Sequence, residues 1–295
     1  MINKMKFNFV KYFKQMFVIS VSIFTISILS LLFIGIPSSI DFTGGTIINI
    51  KVDTDINLSN LRQALEENLN QSVSVVEVKS NNESYVLLKM SYLSDEQVIN
   101  DLLNRVYGNS YTINQIESIG PKIGDELRVN ARNAIIASLL LIGLYISIRF
   151  DGYYAIGSLF ALLHDVFITL GIFVFMNVEI SISIIAALLT IVGYSLNDTI
   201  VIYDRIRENM SLNPYRDKKK IFNTSLNQTL KRTLVTSLTT LIVVLVLYIY
   251  GGDVLQPFSI ALIIGIILGT YSSIFIASPV TLFLEEKYNI EEEDD

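Results

Sequence analysis

Cysteine and tryptophan are missing from all 295 residues, and histidine occurs once, at His164. Without cysteine the chain can form no disulfide, thiol nucleophile, iron–sulfur cluster or cysteine-ligated zinc site. A single histidine among scattered carboxylates supplies no metal-ligand cluster either, so neither a metal nor a cofactor is expected. Charge is also scarce. Asp, Glu, Lys and Arg make up 17% of the residues, against about a quarter in an ordinary soluble domain. The formal net charge is −6, part of it in the tail 291–295. No basic excess marks a nucleic-acid partner.

What is present is apolar: 51% hydrophobic residues and a mean hydropathy of +0.50. They are gathered in long runs. Crossing a bilayer takes about 20 such residues, and six stretches qualify: Phe17–Ile36, Ala131–Ile148, Tyr153–Met176, Ile182–Ile202, Thr233–Tyr250 and Phe258–Leu284. The expected class is a polytopic α-helical membrane protein. Basic residues near span ends set orientation. Lys4, Lys6, Lys11 and Lys14 precede the first span, and Arg205, Arg207, Arg216, Lys218, Lys219, Lys220 and Lys231 lie between the fourth and fifth. The connections 177–181 and 251–257 carry neither Lys nor Arg. Both termini and segment 204–231 are therefore expected on the cytoplasmic side, and residues 38–130 outside. The first span resembles a signal peptide, but its apolar run is long and no small-x-small cleavage site follows, so an uncleaved anchor is expected.

The outer segment is patterned as a domain. Thr46–Val52, Val73–Val78, Tyr85–Met90 and Tyr111–Ile119 read as strands, with Asn81-Asn82 as turn chemistry between the middle two. Leu58, Leu61, Leu65 and Leu69 share one face of a helix, and Ser94 caps a second with Val98, Leu102 and Val106 on one stripe. The order β-α-β-β-α-β is that of a split βαβ, ferredoxin-like α+β unit. Asp53, Asp55, Glu66, Glu67 and Glu117 are scattered through it without a catalytic arrangement, so an interaction surface is expected rather than an enzyme. The resulting division is residues 1–37 (N-terminus and first span), 38–130 (outer domain), 131–284 (spans two to six, including segment 204–231) and 285–295 (acidic cytoplasmic tail).

Ionisable groups inside spans are costly and need a partner or a purpose. His164 and Asp165 fall near the middle of the third span. Asp198 lies in the inner half of the fourth, beside Asn197, and Arg232 opens the fifth from the same side, at matching depth for a pair. Burial disfavours an ionised carboxylate while a nearby cation favours it. A site where the two nearly balance loads and releases a proton as helices shift, and His164 adds a group that ordinarily titrates near neutrality. Blander readings fit the same residues. Asp198 is then a structural partner, Arg232 snorkels to the headgroups, His164 and Asp165 bond one another or a neighbouring helix, and Asp204, Arg205, Arg207 and Glu208 form a salt-bridged helix end. Gly265, Gly269, Ser273 and Ala277 recur every four residues along the sixth span, a small-residue face expected to meet another helix.

Five motifs in order carry a family resemblance: Asp41-Phe-Thr-Gly-Gly-Thr46 after the first span, Gly120-Pro-Lys-Ile-Gly124 before the second, Ala161-Leu-Leu-His-Asp165 in the third, Gly193-Tyr-Ser-Leu-Asn-Asp-Thr199 with Asp204-Arg-Ile-Arg-Glu-Asn209 in the fourth, and Arg232-Thr-Leu-Val-Thr-Ser237 in the fifth. Over nearly its whole length the chain resembles the SecF family of the bacterial SecD–SecF export complex, within the RND superfamily. The resemblance implies half of an RND-type transporter: six spans, with a large domain between the first two. It also implies a separate SecD and residence in the bacterial cytoplasmic membrane. Implied partners are the SecYEG translocon with its associated SecA and insertase, unfolded exported polypeptides, and protons. The implied activity is use of the proton motive force to help polypeptides leave the channel on the outer side. Asp198 and Arg232 match the family's proton pathway, with Asn197, His164 and Asp165 in its motifs. Two other classes stay open: a small-molecule exporter subunit of the same superfamily, and a passive scaffold whose polar residues only hold the bundle together.

Overall fold

In the computed structural model the described residues are 7–52, 58–80, 83–93, 100–101, 103–105 and 111–293. The chain runs α1 (Phe9–Phe33), the short α2 (Ile40–Thr43), β1 (Gly45–Val52), α3 (Leu58–Leu69), β2 (Ser74–Ser80), β3 (Glu83–Met90), β4 (Tyr111–Ile119), α4 (Pro121–Arg149), α5 (Gly152–Phe175), α6 (Ile182–Leu212), α7 (Lys218–Tyr250) and α8 (Gly252–Ser272). A π-helical turn at Ser273–Ala277 then leads into α9 (Ser278–Glu293). Among the described residues six helices are long and apolar enough to cross a membrane, the last being Leu255–Lys287 through the π turn. Residues form two units, Met1–Pro37 with Asn133–Asp295 and Ser38–Arg132.

The helices outrun their apolar stretches because polar bonds extend them. α1 begins at Phe9 rather than the expected Phe17. Asn8 Oδ1 accepts the Lys11 N–H at 3.3 Å, and Asn223 Oδ1 of α7 accepts the Phe9 N–H at 2.8 Å. α4 starts ten residues before the expected Ala131, with Pro121 at the first helical position, where a missing N–H does no harm. Segment 204–231, expected as a connection, is mostly helix. Asn209 Nδ2 donates to Ser225 Oγ and Gln228 Oε1, both at 2.8 Å, and Asp217 Oδ1 accepts the Lys219 N–H at 2.9 Å to start α7. The charged run ends α6 in ion pairs, Arg149–Asp204 at 3.3 Å and Arg205–Glu208 at 2.6 Å.

Within the bundle the helices divide by burial. Over the most apolar windows, 56%, 50% and 56% of the third, fourth and sixth spans are buried, against 17%, 6% and 17% of the first, second and fifth. The centre is therefore α5, α6 and α8–α9. The small-residue stripe makes this possible, as its spacing predicts: a side chain at Gly265 would collide with Ile191 of α6, and one at Gly269 with Ser195. Pro279 has no N–H for the turn before it. The helix widens there to the π turn, and Ser278 Oγ donates to the Ser273 carbonyl at 2.8 Å.

In the outer unit the strands form one antiparallel sheet in the order β2-β3-β1-β4. Alternation puts Ile48, Ile50, Val75, Val86 and Leu88 in its core, covered by Leu61 and Leu65 of α3 and by Leu103. The expected Ser94–Val106 helix lies mostly outside the described residues, as do Asn81-Asn82, Asp53 and Asp55. Glu66 Oε1 accepts the Val73 N–H at 3.1 Å, and Glu117 accepts from Gln115 at 2.7 Å, so both serve local structure. The two glycine motifs meet: Gly44 (φ +69°) has no room for a side chain against Pro121, nor Gly124 against Gly44.

Candidate functional site

Asp165 is fully buried in α5 and ties the three central helices together. Its Oδ2 accepts from Ser195 Oγ of α6 at 2.8 Å and from Ser272 Oγ of α8 at 2.7 Å. Oδ1 lies 2.9 Å from His164 Nδ1. Consecutive helical residues point about 100° apart, yet the His164 ring turns back onto its neighbour, held near-parallel between Phe24 of α1 and Tyr271 of α8 at centroid distances of 6.5 and 6.2 Å. His164 Nε2 is buried without a hydrogen-bond partner.

Asp198 lies about one turn along α6 from Ser195 and is 3% exposed. Its Oδ2 accepts from Ser237 Oγ of α7 at 3.3 Å, and that hydroxyl lies 2.7 Å from Thr270 Oγ1 of α8. Next to Asp198 in α6, Thr199 Oγ1 sits 2.8 Å from Ser273 Oγ, and both hydroxyls also reach the Ser195 carbonyl, at 3.2 and 3.4 Å. Each carboxylate thus bridges three helices through hydroxyls, which donate or accept as needed.

The expected Asp198–Arg232 pair is not closed as a salt bridge, although the guanidinium lies within electrostatic reach of the carboxylate. Arg232 is exposed and lines an open cleft of about 510 Å³ with Asn197, Asp204, Arg205, Glu208 and Gln228. Sharing a depth is not sharing a face. Asp198 points into the α6–α7–α8 interface, while Asn197, the next residue, points into the cleft. His164 and Asp165 are therefore brought into contact, Asp198 is held by Ser237 about one turn further along α6, and Asn197 lines the cleft with Arg232, whose charge reaches Asp198. Sequence reading missed Ser195, Ser237 and Ser272 as carboxylate partners and Thr270 as the partner of Ser237. Hydroxyls one helical turn apart inside apolar runs were the available signal. Among the described residues no group of three or more His, Asp or Glu is placed to hold a metal ion.

Residues 98–287 match the family model described as protein export membrane protein SecD/SecF, C-terminal. Protein translocase subunit SecF of Vibrio alginolyticus is 42% identical over 280 residues, covering 94% of this chain and 89% of the relative. The SecF of Rhodothermus marinus is 39% identical over 290 residues, 95% of this chain and 93% of the relative. The crystal structure of SecDF from Thermus thermophilus, described as a translocon-associated membrane protein, superposes with a TM-score of 0.86 at 38% identity. It covers 96% of this chain, which spans 39% of that longer polypeptide.

Proposed function

This chain belongs to the SecD/SecF family of protein-export membrane proteins, and from that membership we propose that it is a proton-driven auxiliary subunit of protein translocation. It is a multi-pass membrane protein acting in the Sec pathway. Its partner is a SecD-type subunit, which in the Thermus relative shares one polypeptide with it. The pair works beside SecYEG, with SecA and the insertase, to promote release of unfolded polypeptides on the outer side of the bacterial cytoplasmic membrane. Both termini lie in the cytoplasm. The outer unit is a split βαβ domain, a reading supported by its sheet order β2-β3-β1-β4, and offers an interaction surface. The subunit is not an enzyme; it converts a gradient into motion.

One observation carries the proton reading. Two buried carboxylates, Asp165 and Asp198, each join three helices through hydroxyls, and among the described residues no Lys or Arg forms a salt bridge with either, Arg232 reaching Asp198 only at longer range. A fixed cation holds a carboxylate in one state. A hydroxyl donates to the anion, then rotates to accept from the acid, so either state keeps its hydrogen bonds. Loading a proton therefore changes which helices are pulled together without leaving donors orphaned. His164 takes part through the Asp165 contact, its Nε2 being buried without a hydrogen-bond partner. Asn197 and Arg232 act from the adjoining cleft, where the partner subunit completes the pathway. A membrane potential supplies roughly 2.3 kcal/mol per charge per 100 mV, enough to bias two packings a few kcal/mol apart.

The test is Asp198→Asn and Asp165→Asn in the complex with the SecD-type partner, which preserve size and remove the charge. Gradient-stimulated release of exported precursors should be lost while the complex still assembles. Full stimulation in both variants would reject proton coupling and leave the scaffold reading.

A further inference from the structure

The polar region does not stop at Asp165. On α6, Ser195, Thr199 and Tyr203 follow at four-residue steps and are all buried. On α5, Ser158 and Tyr154 lie on the same buried side as Asp165. On the sixth span the π turn adds a residue, so that Ser272 and Ser273 are continued by Ser278, Thr281 and Glu285, every one buried. These residues face one another in rungs. Asp165 meets Ser195 and Ser272; Thr199 meets Ser273 at 2.8 Å; Tyr203 OH meets Thr281 Oγ1 at 2.8 Å. Gly157 of α5 leaves space for the last rung, since a side chain there would strike Thr281 Oγ1 and Tyr203 OH.

The lowest rung differs. Glu285 is 5% exposed; its Oε1 is 3.4 Å from Lys218 Nζ of α7, but its Oε2 is buried without a partner. Tyr154 OH, within electrostatic reach of Glu285, is buried without one as well. An unmade buried hydrogen bond costs about 1–3 kcal/mol, and Phe and Gln would fill these positions without an ionisable group. Packing alone does not account for a carboxylate here.

We propose that this seam between α5, α6 and α8–α9 carries protons between Asp165 and Glu285, and that Glu285 exchanges them with water at the Lys218 end of the bundle, the cytoplasmic end in the topology given above. The inference rests on the proton-coupled reading of Asp165. Each hydroxyl accepts a proton on a lone pair and passes its own to the next group, so one proton enters, one leaves and no other bond changes. On α6 successive rungs are one turn apart, about 5.4 Å; on the sixth span Ser273 and Thr281 lie about two turns apart with Ser278 between them, and hydrogen-bonded water would bridge these steps. Lys218 stabilises the Glu285 anion that proton release leaves behind. The other charged or titratable groups near Glu285 are Asp151, Tyr153 and Tyr154 at the start of α5, and Glu286 beside it.

The experiment uses the complex of the full chain with its SecD-type partner and translocon in proteoliposomes, measuring gradient-stimulated precursor release against the pH on the Lys218 side. Glu285→Gln is expected to lower stimulation about 10-fold or more, in the range of a lost proton-transfer group, and to flatten the pH profile. Glu285→Asp restores part of the rate, Tyr203→Phe slows it, and Lys218→Met displaces the profile along the pH axis. Wild-type rate and profile in Glu285→Gln overturn the route. If Asp198→Asn still abolishes stimulation in the same vesicles, the proton reading survives that loss. A wild-type complex that ignores the gradient overturns both. Should Glu285→Gln fail to assemble, Glu285→Asp and Lys218→Met decide: displaced profiles support the route and unchanged ones overturn it.

Discussion

Ser195 Oγ donates to Asp165 Oδ2 across the α5–α6 interface at 2.8 Å. Ser272 reaches the same oxygen from α8, so removing the carboxylate does not simply delete a charge. Asp165→Leu leaves Ser195, Ser272 and His164 Nδ1 without their acceptor in a closed space. Asp165→Asn keeps a polar group there, and the hydroxyls can turn to meet an amide. The leucine variant should melt as if about 2 kcal/mol less stable, given the modest net worth of buried hydrogen bonds between membrane helices, while asparagine stays near wild type. Thermal unfolding of the detergent-solubilised subunit measures this. Equal melting of the two variants would mean the carboxylate bonds contribute nothing to holding the helices.

The start of α1 depends on α7. Asn227 Oδ1 accepts the Phe7 N–H and Asn223 Oδ1 the Phe9 N–H, each at 2.8 Å, and Asn227 Nδ2 returns a bond to the Phe7 carbonyl. The first N–H groups of a helix have no partner within it, so these asparagines serve as a cap supplied from another helix. In Asn223→Ala with Asn227→Ala, backbone amides 7–10 should exchange with deuterium about 10-fold faster, while the middle of α1 is unchanged. Unchanged exchange at Phe7 and Phe9 would show that the cap adds no stability.

The spans were legible because their hydropathy is strong, and α3 and β3 because their periodicity is clear. His164, Asp165 and Asp198 stood out as charges in apolar runs. The hydroxyl partners did not, for a physical reason. A serine or threonine in a helix can satisfy itself on the carbonyl four residues back, as Ser147, Thr190 and Ser259 do. Nothing in the sequence separates those from Ser195, Ser237 and Ser272, which cross to another helix. The Asp198–Arg232 pair, which interacts at longer range than a salt bridge, departs for another reason. Topology gives depth, but the side a residue faces depends on helix rotation, which packing sets. The π turn was hidden too, since Pro279 marks a break in bonding without saying how the backbone absorbs it.

Close approach of α6 and α8 rests on two glycines, and one comparison isolates this. A side chain at Gly265 would overlap Ile191, whereas one at Gly193, on the exposed side of α6, meets nothing within 4 Å. Gly265→Leu forces the helices apart and strains every rung between them; overpacking of this kind costs about 1–3 kcal/mol or more. It should lower membrane abundance of the subunit several-fold, and Gly193→Ala should not. Immunoblotting of membranes from cells expressing each variant at equal transcript levels makes the measurement. Normal abundance of Gly265→Leu would mean the interface can open without penalty.

Arg232 gives the sharpest separation between holding the chain together and working in a complex. It opens onto a cleft of about 510 Å³ beside Asn197, and its charge reaches Asp198 without closing a salt bridge. A cation at membrane depth costs about 2.5–3.5 kcal/mol toward the centre of a bilayer, so an exposed one is retained for something outside this chain or for water in the cleft. Arg232→Gln should therefore leave thermal unfolding of the isolated subunit within about 0.5 kcal/mol of wild type, as for a surface substitution. In the complex with its SecD-type partner the same change should reduce gradient-stimulated release about 10-fold or more, by analogy with other lost charge-assisted contacts. Arg232→Lys then divides the cause. Lysine keeps the charge but loses the planar fork, so recovery assigns the effect to the field of the cation and continued loss assigns it to guanidinium geometry. If Arg232→Gln instead destabilises the isolated subunit by several kcal/mol, the arginine is bonded within this chain after all, and its place in the partner-facing cleft is wrong.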